Sequence, residues 1–418
     1  MSYFRIYIYL KLKYFLLSLI QNKRKTQIKI QNLLNKYTQK KYTILTGQLR
    51  VGFYLILKYL KEKNPQKKEI ILNSYNLAEM ANICKNLNLK IVFPKLNENL
   101  FISSADLKRK INNNTLAVVI TNIFNTRVDI TKIKQICKKK KIKLIEDNAI
   151  YFSNYSIVAN KKRVYAGSFG DYSLHSFNIM KNISGMYGGS VSTNDKFFND
   201  YSIRKLKFFN SFPRFKFLKQ CIIYFILKIL SINFLYKIFF IKIVNWSHKE
   251  NNKFFLSMFY PSLNFKKKYF DNNFFARINT ISREMILFQL QNKQNIDFNH
   301  KVRKNNNLYY EKLLEKYKNK NLKIIKIKDK NFQNFNDYPV ILKNKKIKKL
   351  LVNYLLSKGI EIKTIQYSDC QKIFKGKNKY NLETYENRII CLPNHIKIKK
   401  DYIDYIIYNI NNFFKKKK

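Results

Sequence analysis

The chain has 418 residues, 46% hydrophobic and 16% aromatic, which is more than one ordinary core holds and excludes a mainly disordered chain. Its formal net charge is +57, from 82 Lys and Arg against 25 Asp and Glu. The lysines are spread along the whole sequence with abundant Asn, Ile, Phe and Tyr, all residues of A/T-rich codons, so a solvated, compositionally drifted surface accounts for the charge and no nucleic-acid partner is expected from it.

The five cysteines form no C-x-x-C pair and the four histidines have no ligand-like spacing, so neither a disulfide framework nor a metal site is expected. Reduced thiols of this kind fit a cytoplasmic protein. Residues 1–32 form an N-terminal segment whose apolar run carries Arg5, Lys11 and Lys13 inside it, unlike a signal peptide. A helix is expected there, packed on the body or lying at a membrane surface.

Residues 33–265 are expected to form a large α/β domain. Short β-rich runs alternate with helical runs: YTIL (42–45), EIILN (69–73), KIVF (90–93), LAVVIT (116–121), IKLIED (142–147), YSLHSF (172–177) and GGSVST (188–193). Such alternation predicts a largely parallel sheet, and ligands of such sheets sit at the carboxyl ends of the strands. Asp147 and the segment after Ser176 fall at such ends. Within this domain, 215–245 is a lysine-interrupted apolar insert, too charged for a spanning helix. Two short helices broken near Ser231–Asn233 are expected, either touching a bilayer surface or buried against the body or a subunit. Residues 266–418 are expected to begin with one long helix and continue as a small α+β domain: strand DYPVIL, a helix ended by Gly359, strands IEIKTI and RIICLP, and a terminal helix.

The stretch HSFNIMKNISGMYGG (175–189) sets Lys181 among a serine and three glycines. A lysine held in a poorly hydrated pocket becomes an amine nucleophile, most often toward the aldehyde of pyridoxal 5'-phosphate (PLP). That cofactor needs a carboxylate at its pyridine nitrogen and a cradle of amides and hydroxyls for its phosphate. Asp147 ends a strand, Ser176 lies five residues before Lys181, and TGQLR (46–50) opens a helix whose first amides make an anion site.

YAGSFGDYSLHSFNIMKNISGMYGGSVSTND (165–195) resembles the DegT/DnrJ/StrS-type sugar aminotransferases. So do TGQLRVGFYLIL, VDITKIKQICKKKKIKLIEDNA, and the closing LLSKGIEIKTI and CLPNHIKIKKDYIDYII, in the family's order. The resemblance implies the type I PLP-transferase fold: a large domain with a seven-stranded, mostly parallel sheet, a small C-terminal domain, and a homodimer. It implies that Lys181 is the catalytic Schiff-base lysine and that Asp147 pairs with the pyridine nitrogen. Ser176, Gly47, Gln48 and Leu49 would hold the phosphate. It implies transfer of an amino group from glutamate to a nucleotide-linked keto-sugar, for surface polysaccharide or glycoconjugate synthesis. Ile150 stands where the family has Gln or His, and Leu77 where it has a ring-stacking aromatic, a role left to Tyr75. Met186-Tyr187-Gly188-Gly189 stands for the family's G-E-G-G. These departures keep two other classes open: a relative without catalysis, and a basic protein binding membranes or polyanions.

Overall fold

The computed structural model describes all residues except 1–2, 21–24, 98–99, 124–129, 151, 158–162, 231, 251–269, 271–272, 318, 326–336, 365–366, 376–384 and 416–418. The seven expected runs become the seven strands of one sheet: β1 (Tyr42–Thr46), β2 (Glu69–Ile71), β3 (Lys90–Val92), β4 (Thr115–Thr121), β5 (Lys143–Asp147), β6 (Tyr172–Ser176) and β7 (Gly189–Thr193). Their order is β1-β7-β6-β5-β4-β2-β3. β3, β2, β4, β5 and β6 run parallel, whereas β7 is antiparallel to both β6 and β1.

Both faces of this sheet are covered, as parallel strands require. Ile70, Ala117, Val119 and Ile145 point into one core with helices α3 (Leu49–Lys63) and α4 (Ala78–Asn86). Their neighbours Ile71, Val118, Ile120 and Leu144 point into the other, with α5 (Ser104–Lys110) and α6 (Ile130–Lys139). Each of the fully buried Ile, Val and Leu side chains stabilises the fold by about 1.5–3 kcal/mol. Ser103 and Asp195 cap α5 and α7 (Lys196–Lys207) by accepting the amides of Asp106 and Phe198.

The amino-terminal run divides. Residues 3–10 are not helical, and only Leu12–Ile20 forms a helix, α1, followed by α2 (Thr26–Thr38). The physical reason is a period of two, not 3.6. Phe4, Ile6, Ile8 and Leu10 all enter one apolar core. The insert forms α8 (Arg214–Leu230) and a return helix from Asn233 to Lys249 with a π-helical turn at Tyr236–Phe240, the two bent by 81°. The inner face of α8 is buried on the N-terminal segment: Tyr224 donates to the Leu10 carbonyl at 3.1 Å and Lys228 to that of Ile8 at 3.0 Å. No helix among the described residues is long and apolar enough to cross a membrane.

The long helix expected in the C-terminal part is two, Thr280–Gln291 and Lys293–Lys316. Asn292 separates them, its side chain capping the second by accepting the Asn295 amide at 3.0 Å. The first of the two packs on α1 and α2, with Ile286, Leu287 and Leu290 in a core shared with Leu45 and Phe177. The boundary expected at 265–266 lies outside the described residues. The small domain has a three-stranded sheet of Leu322–Ile324, Asp337–Leu342 and Ile389–Pro393, with helices Lys345–Ser357 and Lys400–Lys415 against it. The described part of IEIKTI, residues 360–364, is not a strand. It contributes one bridge, Lys363 to Cys391. Tyr75–Asn76 of the large domain pairs antiparallel with Ser368–Asp369 of the small one.

Candidate active site

β5 carries two adjacent carboxylates, and strand alternation sends them opposite ways. Glu146 faces away from the site and accepts the amides of Gly167, Phe169 and Gly170, which fixes the loop before β6. Asp147 faces a cavity of about 460 Å³ at the carboxyl end of the sheet. Among the described residues its carboxylate accepts one hydrogen bond, from the Ala149 amide at 3.0 Å. Burial raises its pKa to about 6, against the opposing pull of that bond and of the Lys181 charge.

Lys181 reaches the same cavity from the turn after β6, where its amide donates to the Asn178 carbonyl at 2.9 Å. Burial lowers its pKa to about 8. The like charge of Lys363 pushes the same way, while Asp147 and Asp337 oppose both. An amine with that pKa is substantially neutral slightly above neutral pH, as a nucleophile or proton carrier must be.

Ser176, the last residue of β6, also lines the cavity, and so do Gln48 and Leu49 at the start of α3. Gln48 is the extended residue before that helix, so the first-turn amides open toward the cavity. Gly47 does not line it. Its amide donates to the Ala276 carbonyl at 3.1 Å, and a Cβ there would stand 2.4 Å from that oxygen. Gly189 lies under the helix start, where a Cβ would come within 2.3 Å of the Leu49 nitrogen. Met186 has φ of +63°, a left-handed conformation at a position where the resemblance expects glycine.

Leu77 and Ile150 both line the cavity. Tyr75 is not on its wall. Its buried ring packs against Tyr367 and Tyr385, with centroids 5.6 and 6.5 Å away. Tyr367 does reach the cavity.

Two sets of lining residues escaped the sequence reading. The small domain brings Asp337 and Lys363, paired at 3.1 Å, together with Asn394 and His395. The N-terminal segment brings Arg5, Ile6, Tyr7 and Tyr9. Tyr7 stacks on His395 at 5.6 Å, and the His395 ring nitrogen Nε2 lies 2.9 Å from the Phe4 carbonyl oxygen. The two-residue alternation of YFRIYIYL was the available signal for an extended segment. One more lysine in a lysine-rich chain offered no signal for Lys363.

The donor set fits PLP. A buried carboxylate with a single hydrogen bond is matched to a protonated ring nitrogen, a neutralisable amine to an aldehyde, and a hydroxyl beside helix-start amides to a phosphate. Among the described residues no group of His, Cys, Asp and Glu could hold a metal ion, and no disulfide joins the five cysteines.

Comparison with known proteins places the whole chain. The model of the DegT/DnrJ/EryC1/StrS aminotransferase family matches residues 20–216 and 255–411. A GDP-perosamine synthase of Vibrio cholerae is 32% identical over 140 residues, 33% of this chain and 37% of the relative. A GDP-perosamine synthase of Escherichia coli O157:H7 is 28% identical over 173 residues, 40% of this chain and 45% of the relative. The chain thus spans less than half the length of these two curated relatives. The solved structure of Helicobacter pylori PseC, an aminotransferase involved in the biosynthesis of pseudoaminic acid, superimposes with a TM-score of 0.71 at 18% identity, covering 100% of both chains.

Proposed function

Since the chain belongs to the DegT/DnrJ/EryC1/StrS aminotransferase family, we propose that it is a PLP-dependent aminotransferase acting on a nucleotide-linked keto-sugar, with glutamate as donor. The observation that carries this reading is one cavity holding Asp147, Ser176, Lys181 and the start of α3. The two curated relatives named as GDP-perosamine synthases support the substrate class, and surface polysaccharide or glycoconjugate synthesis is the setting it fits.

Asp147 would hold the pyridine nitrogen, Ser176 and the amides at Gln48 and Leu49 the phosphate, and Lys181 the aldehyde carbon. Bound PLP supplies an electron sink for the substrate carbon that loses or gains a proton. Lys181 Nζ takes that proton and returns it, which its depressed pKa permits near neutral pH. Asp147, ionised above pH 6, would hold a protonated ring nitrogen. Leu77 and Ile150 contribute apolar wall, which excludes water from the reacting centre. Lys363, paired with Asp337, adds a positive charge beside Lys181 that favours its neutral form.

The resemblance that implies PLP also implies a homodimer, which light scattering on the purified protein would check. Cysteines joined by no disulfide and a nucleotide-linked substrate support a cytoplasmic setting. The reading is tested by the visible spectrum of the protein with added PLP, wild type beside Lys181→Ala. A Schiff-base band in wild type alone, bleached by glutamate, supports cofactor, lysine and donor together. No band in either protein sinks the proposal in favour of a non-catalytic relative.

A further inference from the structure

The insert has two faces. On α8, Gln220 and Ile223 line the active-site cavity while Tyr224, Leu227 and Leu230 are buried. The opposite stripe, Leu218, Ile222, Phe225 and Ile229, recurs at helical spacing and stays open to solvent, with Leu218 58% and Ile229 49% exposed. α1 lies beside it, since the Phe15 ring sits 5.6 Å from that of Tyr224 and 5.5 Å from that of Phe225. α1 adds Leu12, Leu16 and Leu19, also exposed and also one stripe. On the return helix Phe239, Ile243 and Trp246 continue the pattern. An apolar surface of this extent marks a contact with something.

Charge decides what covers it. The chain has no Asp or Glu before Glu62, and none from Tyr201 to Lys249, a span with ten Lys and Arg. Lys219, Lys237 and Lys242 interleave with the apolar positions, placed to snorkel their ammonium groups outward from a buried face. A nucleic acid would not cover exposed Leu, Ile and Phe. A second copy of this chain would bring a like-charged, carboxylate-free surface against its twin. A lipid surface with anionic headgroups matches both features at once. The 81° bend between the two helices and the lysines among their apolar positions suit helices lying in the interface.

We propose that α1, α8 and the return helix form a docking face for an anionic phospholipid bilayer. The inference is independent of the reaction assigned to the cavity. It has a consequence for that cavity, because the N-terminal segment on its wall is held by the inner face of α8 through Tyr224 and Lys228. The membrane contact and the wall of the active site are two sides of one helix.

The chain's single tryptophan, Trp246, is 47% exposed on this face and reports on it directly. The full-length protein loaded with PLP would be mixed with vesicles of phosphatidylglycerol and phosphatidylcholine, or of phosphatidylcholine alone. Expected are sedimentation with the anionic vesicles, at least tenfold weaker binding to neutral ones, and quenching of Trp246 by brominated acyl chains. A variant with Leu218→Asp, Ile222→Asp and Ile229→Asp should lose binding at least tenfold while retaining its circular dichroism and cofactor absorbance. Wild-type protein that ignores anionic vesicles, or binds them without quenching of Trp246, overturns the proposal. So does a triple variant that binds vesicles normally. If the triple variant instead lowers the particle mass in light scattering, the face is a contact between copies and the proposal also falls.

Discussion

Arg5 and Glu361 stand 356 positions apart in the chain and meet as an ion pair of 2.9 Å, both side chains almost wholly buried. Tyr236 of the insert donates to the second carboxylate oxygen of Glu361 at 2.8 Å. Three separate parts of the chain therefore close on one carboxylate: the N-terminal segment, the insert and the small domain. Arg5 also lines the cavity. Removing one partner of a buried pair leaves the other charge without compensation. Arg5→Met should cost about 3–5 kcal/mol of stability, measured by denaturant unfolding. Adding Glu361→Leu should recover much of the loss. A cost below about 1 kcal/mol for Arg5→Met would show that the pair does not hold the segment.

Lys181 as the proton carrier predicts a separation of binding from turnover. Lys181→Arg should retain nucleotide-sugar binding in calorimetry and lose about 10²–10⁴-fold or more in turnover. Equal losses in both would point to a structural role.

The lysine's environment predicts a pH profile. The neutral amine becomes the major form as pH rises through about 8. The rate of PLP capture by the cofactor-free protein should climb about tenfold per pH unit below that value and level off above it. Lys363→Met removes a like charge that lowers the lysine's pKa, so the bend in the profile should move to higher pH. Stopped-flow absorbance on wild type and variant would read both curves, and an unmoved bend would place Lys363 outside the electrostatics of the site.

Asp147 predicts a conflict between stability and function. Its folded pKa of about 6 exceeds the ordinary 3.8, so the folded state holds more protons between those values. The stability this confers is present in acid and is lost as pH rises from about 4 through 6. Above pH 6 the cofactor-free protein carries the full cost of a buried carboxylate. Asp147→Asn should therefore stabilise that form at pH 7–8 by up to roughly 3 kcal/mol, while weakening PLP binding at least tenfold. Thermal melts with and without PLP test both signs, and a destabilised cofactor-free variant would contradict the electrostatic account.

Gly189→Ala tests the close approach of β7 to α3. The new Cβ would meet the backbone of Gln48 and Leu49, which cannot swing aside as a side chain can. The start of α3 should be displaced and PLP affinity should fall at least tenfold, measured by titration of the Schiff-base absorbance. Unchanged affinity would remove the helix start from the phosphate site.

Every strand of the large sheet was legible because each is a short β-rich run, most of them next to a helical pattern, a local signal that tertiary packing then reinforces. Asp147, Ser176 and Lys181 were legible because they lie within one stretch of the chain and close to strand ends. Asp337 and Lys363 were not, since both come from the small domain, outside the large sheet, and Lys363 is one of 82 basic side chains. Arg5 and Tyr7 were hidden by reading the N-terminal run as a helix, although Phe4, Ile6, Ile8 and Leu10, every second residue, enter one core and mark it as extended. The aromatic left to Tyr75 illustrates a finer limit. Two positions separate Leu77, on the cavity wall, from Tyr75, which pairs in register with Asp369 and packs on Tyr367 and Tyr385.

That two-residue pairing has a mechanical consequence. Leu77, on the cavity wall, follows directly after Asn76, and the Leu77 amide donates to the Asn76 side chain at 2.7 Å. Tyr367, on the same wall, directly precedes Ser368. A rotation of the small domain would thus pull on both walls through adjacent peptide units, with no slack between the seam and the contact surface. The seam laces the two lobes together, so that opening the cleft would reshape its lining in the same step.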